Sequence, residues 1–227
     1  MTPPKASELP LILLGAGGHA KVLLALAKSA GHAVIGLCDP DLAARGETHW
    51  HGVPVLGGDE ALAQIDPAGT GLINGVGQLV GSRLRERIYT RTQEAGFRFP
   101  PLIHPAAWIA PDVTLADGVQ VMAGCIVQPG CVIGENTILN TRAGIDHDCT
   151  VGAHVHIAPG ATLCGAVRVD DGAFVAAGAV LVQGLHVGAG AVVGAGTTLI
   201  RNLAAGQIRL GAASRLKSKF ICTSGSA

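Results

Sequence analysis

The sequence predicts two successive folds: a small α/β domain of βαβ type, equivalent to half of a Rossmann fold, and then a solenoid of very short parallel strands. Residues 11–22, LILLGAGGHAKV, have the pattern of a strand, a glycine-rich turn and the start of a helix. From residue 103 to residue 199, an Ile, Leu or Val recurs at every sixth position, seventeen times without a gap. The predicted divisions are residues 1–101 for the α/β domain, 102–205 for the solenoid and 206–227 for a C-terminal tail.

Strand and helix patterns alternate through the first hundred residues. The predicted strands cover residues 11–14, 33–38, 53–56 and 72–73, the third of them as a short edge strand, and the predicted helices cover residues 20–30 and 82–95, with Ser82 as an N-cap. About 100 residues can hold one mononucleotide-sized half, but not the six strands of a full dinucleotide fold.

The glycine-rich turn predicts a phosphate site. Gly15 and Gly17 allow the backbone to approach a pyrophosphate at the helix N-terminus, and Asp39 follows about 20 residues later, where a ribose or base would be held. Read alone, this stretch favours a nicotinamide-dependent dehydrogenase. The small size of the domain favours the nucleotide end of another ligand. A strand-to-helix turn without a ligand is the third interpretation.

The six-residue period predicts a coil whose interior is filled by the large aliphatic side chains. A smaller residue follows four positions later, and the fourth position of the repeat is usually Gly, which permits a tight turn. Each repeat is stable only with stacked neighbours, so the whole stretch should form one continuous core. Cys125, Cys131 and Cys149 occupy the smaller inward position, which favours core packing over catalysis.

Composition excludes several classes of function. The chain has 16 basic and 16 acidic residues and no basic block, which argues against nucleic acid or an acidic membrane surface as a partner. The first ten residues lack the apolar core of a signal peptide, and the six cysteines lack C-x-x-C spacing, so we expect reduced thiols in the cytoplasm. The uncharged stretch 172–200 is rich in glycine and lacks a helical period, which favours the solenoid over a membrane span.

The glycine series is interrupted at three successive repeats, by Arg142, Asp148 and His154. A regular repeat is lost where a requirement other than formation of the coil selects the residues, so this stretch is the candidate catalytic site. His147 is the candidate general base, because a neutral imidazole is suited to proton transfer near pH 7. An adjacent carboxylate, Asp148 or Asp146, would orient the ring.

If each coil contains eighteen residues, Gly165 lies one coil after His147, where its backbone N–H would stabilise an oxyanion. Two other interpretations remain open for this stretch. One is a solvated corner without chemistry, and the other is a metal site formed by His147, Asp148, His154 and His156.

The period resembles the hexapeptide acyltransferase family. That resemblance implies a left-handed parallel β-helix with three repeats per coil, a homotrimer, and acetyl-CoA bound between subunits. The combination of GAGGHAKV with N-x6-H-[DE] resembles, more narrowly, the PglD/NeuD-type sugar acetyltransferases. This implies transfer of an acetyl group from acetyl-CoA to the 4-amino group of a UDP- or GDP-linked 4-amino-4,6-dideoxy sugar, for polysaccharide biosynthesis. The alternatives are O-acetylation of a sialic-acid-type sugar, and a non-catalytic nucleotide-sugar-binding protein.

The same resemblance assigns roles to individual residues and implies no metal. His147 is the base, Asp148 its acidic companion, and Asn140 a substrate contact. The remaining assignments are His156 and Gly165 for acetyl-CoA, Gly17, Gly18 and His19 for the diphosphate, and Asp39 and Asp41 for the nucleotide base. Arg215, Lys217 and Lys219 either contact the CoA phosphates or form a solvated basic end. The nucleotide base and the sugar stereochemistry stay undetermined.

Overall fold

The computed structural model describes residues 9–211. Its N-terminal part contains a five-stranded sheet of order β3-β4-β2-β1-β5, in which only the β3–β4 pair is antiparallel. The elements are β1 Leu11–Leu14, α1 Gly18–Ser29, β2 Val34–Cys38, α2 Pro40–Ala44, β3 His49–Trp50, β4 Val53–Gly57, a 3-10 helix Asp59–Gln64, β5 Gly71–Asn74 and α3 Leu84–Glu94. The predicted α/β class is confirmed.

Strand β1 is buried along its whole length because it lies between β2 and β5 in the sheet. The order in which strands are added to the sheet reverses at this strand: β2 lies on one side of it and β5 on the other, and both are parallel to it. In open α/β sheets, ligands bind outside the carboxyl ends of the strands at such a point. The glycine-rich turn that begins at Gly15 lies at this edge.

Two predicted details of this domain are wrong. The predicted edge strand, β4, is second from the edge, because the short strand β3 pairs with it on the outside. Helix α3 begins at Leu84, with Arg83 in the N-cap position, although the Ser82 hydroxyl does accept the Leu84 N–H at 3.3 Å. An isolated two-residue strand such as β3, outside any repeat, carries too little periodicity to be found in a sequence.

The second part is a three-faced solenoid of two-residue strands. The first face contains β7 Trp108–Ile109, β10 Ile126–Val127, β13 Gly144–Ile145, β16 Thr162–Leu163, β19 Val180–Leu181 and β22 Thr198–Leu199. The second contains β8 Thr114–Leu115, β11 Val132–Ile133, β14 Thr150–Val151, β17 Arg168–Val169 and β20 His186–Val187. The third contains β6 Leu102–Ile103, β9 Gln120–Val121, β12 Ile138–Leu139, β15 His156–Ile157, β18 Phe174–Val175, β21 Val192–Val193 and β23 Ile208–Arg209.

The six-residue period corresponds to this architecture strand by strand. Each of the seventeen periodic residues is the second residue of a strand, and neighbouring strands on one face pair in parallel eighteen residues apart, as Ile126 does with Gly144. From Val121 onward these aliphatic side chains are buried, and they form one core with Cys125, Cys131 and Cys149. The predicted solenoid, its coil length and the packing role of these cysteines are confirmed.

The corners of the coil require a left-handed backbone. Between residues 118 and 172, the corner residues have φ values between 54° and 75°. Asn136, Arg142, Asp148 and His154 adopt it at four successive corners, and Ala166 adopts it after one intervening glycine corner. Arg142, Asp148 and His154 were predicted as departures from the glycine series, and Asn136 was not. A non-glycine residue in this conformation costs about 1–2 kcal/mol, so four in succession indicate a selected feature.

The solenoid extends to Arg209, beyond the predicted end at residue 205. The last coil is shorter than the others: Leu203 bridges to Val187, and β23 pairs with Val192 and Val193. The six-residue period is therefore lost while strand pairing continues, which is why the sequence placed the end too early. The predicted tail contacts of Arg215, Lys217 and Lys219 lie outside the described residues.

The two parts share a hydrophobic core. Leu23 of α1 and Val121 of β9 belong to one buried cluster, and α1 contacts β6 directly. Tyr89 of α3 packs on Phe99 at 4.6 Å between ring centroids and edge-on against His154 of the solenoid at 5.6 Å. The α/β domain is thereby fixed against the third face. Among residues 9–211, no helix is long and apolar enough to cross a membrane.

Candidate active site

His147 lies on the turn between β13 and β14, at the corner where the first face meets the second. Its Nδ1 is 2.8 Å from Oδ2 of Asp148, and its backbone N–H donates to Oδ1 of Asp146 at 2.8 Å. A carboxylate only accepts hydrogen bonds, so Nδ1 carries the proton and Nε2 of the neutral ring keeps a free lone pair. This is the tautomer that a general base requires.

The acidic neighbours also change the basicity of the ring. The hydrogen bond to Asp148 raises the pKa of His147 above its usual range, and the nearby charge of Asp146 raises it further. The His147 and Asp148 side chains are 60% and 69% exposed, so a substrate has access to the pair in this chain. The predicted orientation of His147 by an adjacent carboxylate is therefore present in the geometry.

Gly165 lies directly beneath the imidazole of His147. A Cβ atom on Gly165 would be 2.5 Å from Nε2 of His147, which is closer than two such atoms can approach. The backbone N–H of Gly165 donates no hydrogen bond within residues 9–211, while its neighbour Ala166 donates to the His147 carbonyl at 2.8 Å. The eighteen-residue arithmetic therefore located the contact correctly.

A second cluster lies on the third face, where it meets the glycine-rich turn. Nε2 of His156 is 3.1 Å from Nδ2 of Asn140, and Nε2 of His19 is 2.8 Å from Oε1 of Gln120. Burial lowers the pKa of His19 and that of His156 to about 4. Both imidazoles are consequently neutral near pH 7. Gln120, which was not predicted from the sequence, joins His19 of the α/β domain to the solenoid.

The hydrogen-bond network assigns the tautomer of each buried ring. Gln120 donates its amide N–H to the Asn74 carbonyl at 2.9 Å, so its Oε1 accepts from His19, which leaves Nδ1 of His19 as an acceptor. The Oδ1 of Asn140 accepts the Thr141 N–H at 2.8 Å, so its amide nitrogen donates to Nε2 of His156. Nδ1–H of His156 is then a buried donor that makes no well-formed hydrogen bond among the described residues, although the Gln78 backbone is near enough to raise the pKa of the ring.

Arg85 is the second functional residue that sequence reasoning missed. It is 3% exposed and forms no ion pair within residues 9–211; instead it donates to the carbonyls of Asn74 and Val76 at 2.8 Å and of Asn136 at 3.3 Å. Burial lowers its pKa to about 9, so it stays charged at pH 7. Its charge lowers the pKa of both His19 and His156. Helix α3 contains several arginines, and nothing in its sequence distinguishes Arg85 from the others.

The α/β domain has a cavity of about 860 Å³ at the carboxyl ends of β1 and β2, between the turn at Gly15 and helix α3. Asp39 and Asp41 line it. Asp39 caps α2 by accepting the Leu42 N–H at 2.9 Å, and its other oxygen accepts the Ala16 N–H at 2.8 Å. The Asp39 carboxylate thus shapes the glycine-rich turn, while that of Asp41 is exposed to the cavity.

The predicted residues form three groups in one chain. His147, Asp148 and Gly165 share one corner, Asn140 and His156 share a hydrogen bond with His19 nearby, and Asp39 and Asp41 share the cavity. Gly17 and Gly18 begin α1 beside His19 and leave open space where a Cβ would lie. Within the described residues, no three His, Cys, Asp or Glu side chains are arranged to hold a metal ion.

Comparisons with known proteins find matches for both parts of the chain. Residues 10–92 match the PglD N-terminal domain, and residues 100–134 and 130–165 match the bacterial transferase hexapeptide (six repeats). Perosamine N-acetyltransferase from Caulobacter crescentus, solved as a histidine-to-asparagine variant with CoA and GDP-perosamine, is 33% identical, with 92% of this chain and 97% of that chain covered and a TM-score of 0.81. The acetyltransferase domain of PglB from Neisseria gonorrhoeae, solved with acetyl coenzyme A, is 34% identical over 89% and 96% of the chains, with a TM-score of 0.82.

WeeI from Acinetobacter baumannii, at 22% identity and a TM-score of 0.75, shares the fold. The chain belongs to the PglD-like acetyltransferases of the left-handed β-helix, hexapeptide-repeat family, together with the PerB and PglB enzymes. The predicted family and the left-handed β-helix are confirmed.

Proposed function

We propose that this protein transfers the acetyl group of acetyl-CoA to the 4-amino group of a nucleotide-linked 4-amino-4,6-dideoxy sugar. The observation that carries the proposal is the likeness, over 92% of this chain, to an enzyme solved with CoA and GDP-perosamine. The presence in this chain of an imidazole that is hydrogen-bonded to a carboxylate and lies against a glycine of the next coil supports the same chemistry.

His147 acts as the general base. The sugar amine attacks the thioester carbonyl, a C–N bond forms, and Nε2 of His147 accepts the proton that the amine loses. The C–S bond then breaks, and the CoA thiolate leaves and is protonated by the imidazolium. Asp148 holds Nδ1 and stabilises the imidazolium. The unpaired N–H of Gly165 donates to the acetyl oxygen as negative charge develops there.

The nucleotide occupies the cavity beside Asp41, with its diphosphate at the turn formed by Gly17 and Gly18. Both glycines lie at the N-terminus of α1, where backbone N–H groups and the helix dipole favour an anion. His19 presents Nδ1, an acceptor, and His156 presents Nδ1–H, a donor, to the substrates between them.

The active enzyme is a homotrimer. His147 lies at the corner between the first and second faces, whereas Asn140 lies at the corner between the third and first, beside His156. A neighbouring protomer would bring the His147 corner of one chain onto the His156 face of the next. Mixing inactive His147→Ala and Asn140→Ala proteins after dissociation should therefore restore part of the activity. Two variants that never complement, in a protein that is trimeric by light scattering, contradict a shared site.

Acetyl-CoA and nucleotide sugars are cytoplasmic metabolites, and the five cysteines within the described residues are free thiols. Both points support a cytoplasmic enzyme.

The decisive experiment is an acetyl-transfer screen over UDP- and GDP-linked 4-amino sugars, with free sialic acid included. We expect transfer to a nucleotide-linked amine, and a decrease of about 10² or more in the His147→Ala variant while nucleotide-sugar binding persists. Acetylation of sialic acid alone would instead identify an O-acetyltransferase. Binding without any transfer would identify a non-catalytic protein, and full activity of His147→Ala would exclude the base.

A further inference from the structure

Three buried cysteine thiols take no part in the chemistry above. Cys125, Cys131 and Cys149 occupy the same position of the six-residue repeat, directly after a corner, and each is at most 1% exposed. Burial raises the pKa of the Cys125 thiol to about 11 and that of Cys149 to about 12, and it also raises the pKa of Cys131. The three side chains therefore stay protonated and remain hydrogen-bond donors.

Each thiol donates to a backbone carbonyl fifteen residues later, at the first residue of a turn in the next coil. The hydrogen bonds are Cys125 to Asn140 at 2.9 Å, Cys131 to Asp146 at 3.0 Å and Cys149 to Cys164 at 3.2 Å, and the hydroxyl of Thr137 makes the equivalent bond to Gly152 at 2.8 Å. Two of the acceptors, Asp146 and Cys164, directly precede His147 and Gly165.

In a regular turn of this solenoid, the same carbonyl is satisfied from within the turn. The N–H of the fourth residue donates to it, as Ala143 does to Asn140 at 2.9 Å and Ala161 does to Ala158 at 3.1 Å. Within residues 9–211, this closing bond is absent from the turns 146–149 and 164–167. The turns of His147 and Gly165 are thus open, and a thiol of the preceding coil supplies the missing donor.

An open turn does not by itself require such a donor. The turns 128–131, 134–137 and 182–185 also lack the closing bond in the described part of the chain, and the corresponding donor positions there are Val113, Val119 and Val167. None of these three turns contains a residue of the proposed chemistry. A side-chain donor accompanies the open turns only in the consecutive coils that contain His147, His154 and Gly165.

We propose that Cys131 and Cys149 are positioning residues that hold the turns of His147 and Gly165 in their open form. The Cys131 thiol fixes the peptide that leads into His147, and the Cys149 thiol fixes the peptide whose N–H belongs to Gly165. Both reacting groups then keep their direction toward the thioester. The expected effect on catalysis rests on the proposed function. The role of the thiols in holding the two turns open rests on the hydrogen bonds alone.

The test replaces each thiol by an apolar group of similar size. Val already occupies the same position of the six-residue repeat at 155 and 167, so Cys131→Val and Cys149→Val remove the donor without leaving a cavity. Cys125→Val is the matched control, because its acceptor keeps the Ala143 N–H. We expect kcat to fall about tenfold in Cys131→Val and Cys149→Val, with the KM for acetyl-CoA changed less than about twofold.

Two further variants separate positioning from packing. Cys131→Ser and Cys149→Ser restore a donor and should regain kcat to within about twofold of the parent, and Cys125→Val should equal the parent. Equal kcat in the Cys125→Val and Cys131→Val proteins, both folded by circular dichroism, overturns the proposal. So does a serine variant as impaired as the valine variant at the same position.

A second measurement does not depend on acetyl transfer. NMR titration of His147 should show a lower pKa in Cys131→Val than in the parent, because a relaxed turn loosens the contact with Asp148. If no variant, including the parent, transfers acetyl groups, a pKa change confined to Cys131→Val still supports positioning and only the proposed function fails. An unchanged His147 titration in folded Cys131→Val contradicts the inference.

Discussion

The imidazole of His147 lies against Gly165 of the next coil, with no room between them for a single methyl group. Eighteen residues of sequence separate His147, the proposed base, from the N–H of Gly165, the proposed oxyanion donor, and one coil of the solenoid brings the two residues together. The two groups lie on stacked corners of a rigid core, so their distance does not depend on a mobile loop.

Replacing Gly165 with alanine should abolish most of the activity without unfolding the protein. The new Cβ would be 2.5 Å from Nε2 of His147 and would displace the ring from its position beside Asp148. We expect kcat/KM to fall by about 10². Gly144→Ala is the control, since a Cβ there meets Thr162 only at 3.9 Å, an ordinary contact. Comparable loss in both variants would show that any added methyl in this region is harmful.

Replacing Asp148 with asparagine should move the pH dependence of the reaction. The Asp148 hydrogen bond raises the pKa of His147, and a base must be neutral, so activity should increase with pH through that pKa. In Asp148→Asn the pKa falls, so the acidic limb of the kcat/KM profile should shift to lower pH while the maximum decreases. Asparagine tolerates the left-handed backbone at this corner, where φ is 59°. An acidic limb that does not shift would assign it to another group.

Two buried histidines should make the fold sensitive to acid. The pKa values of His19 and His156 are about 4 in the folded chain and 6.5 in the unfolded chain. Between these values the unfolded chain binds more protons, so stability falls as pH decreases from about 6.5 toward 4. Each imidazole contributes up to about 3 kcal/mol to this loss. Urea unfolding at several pH values should show a shallower dependence in His156→Gln, and the parental slope in a variant of the exposed His49, His49→Gln.

Arg85 should be required for the junction between the two parts of the chain. Arg85→Met removes the side-chain donor of the Val76 and Asn136 carbonyls and one of the two side-chain donors of the Asn74 carbonyl, and relieves the burial of a charge. A buried acceptor without a donor costs about 1–3 kcal/mol, so we expect a net loss of about 3 kcal/mol in urea unfolding. The control variant is Arg45→Met, at an exposed position, where we expect the free energy of unfolding to change by less than about 0.5 kcal/mol. Parental stability of Arg85→Met would mean that relief of the buried charge offsets the lost hydrogen bonds.

Much of the fold could be predicted because its periodicity is local. Every predicted aliphatic position from Ile103 to Leu199 belongs to a strand, and the same eighteen-residue step placed Gly165 next to His147. The prediction failed where pairing continued without the period, at Ile208–Arg209, and at β3, a two-residue strand that belongs to no repeat. In both places the hydrogen bonds to a neighbouring strand, which a sequence does not display, maintain the element.

The sequence by itself determined the solenoid and its coil length, because six-residue repeats form a pattern of consecutive residues, and the motif around His147 predicted that residue as the base. Only the tertiary structure decided which groups surround His147 and the second cluster. Gln120 anchors His19, Arg85 donates across the domain junction to Asn136, and Cys131 replaces the closing bond of the His147 turn. Each of these contacts joins residues distant in the chain through buried polar atoms, whose partners are set by the packing of two domains and not by any local pattern.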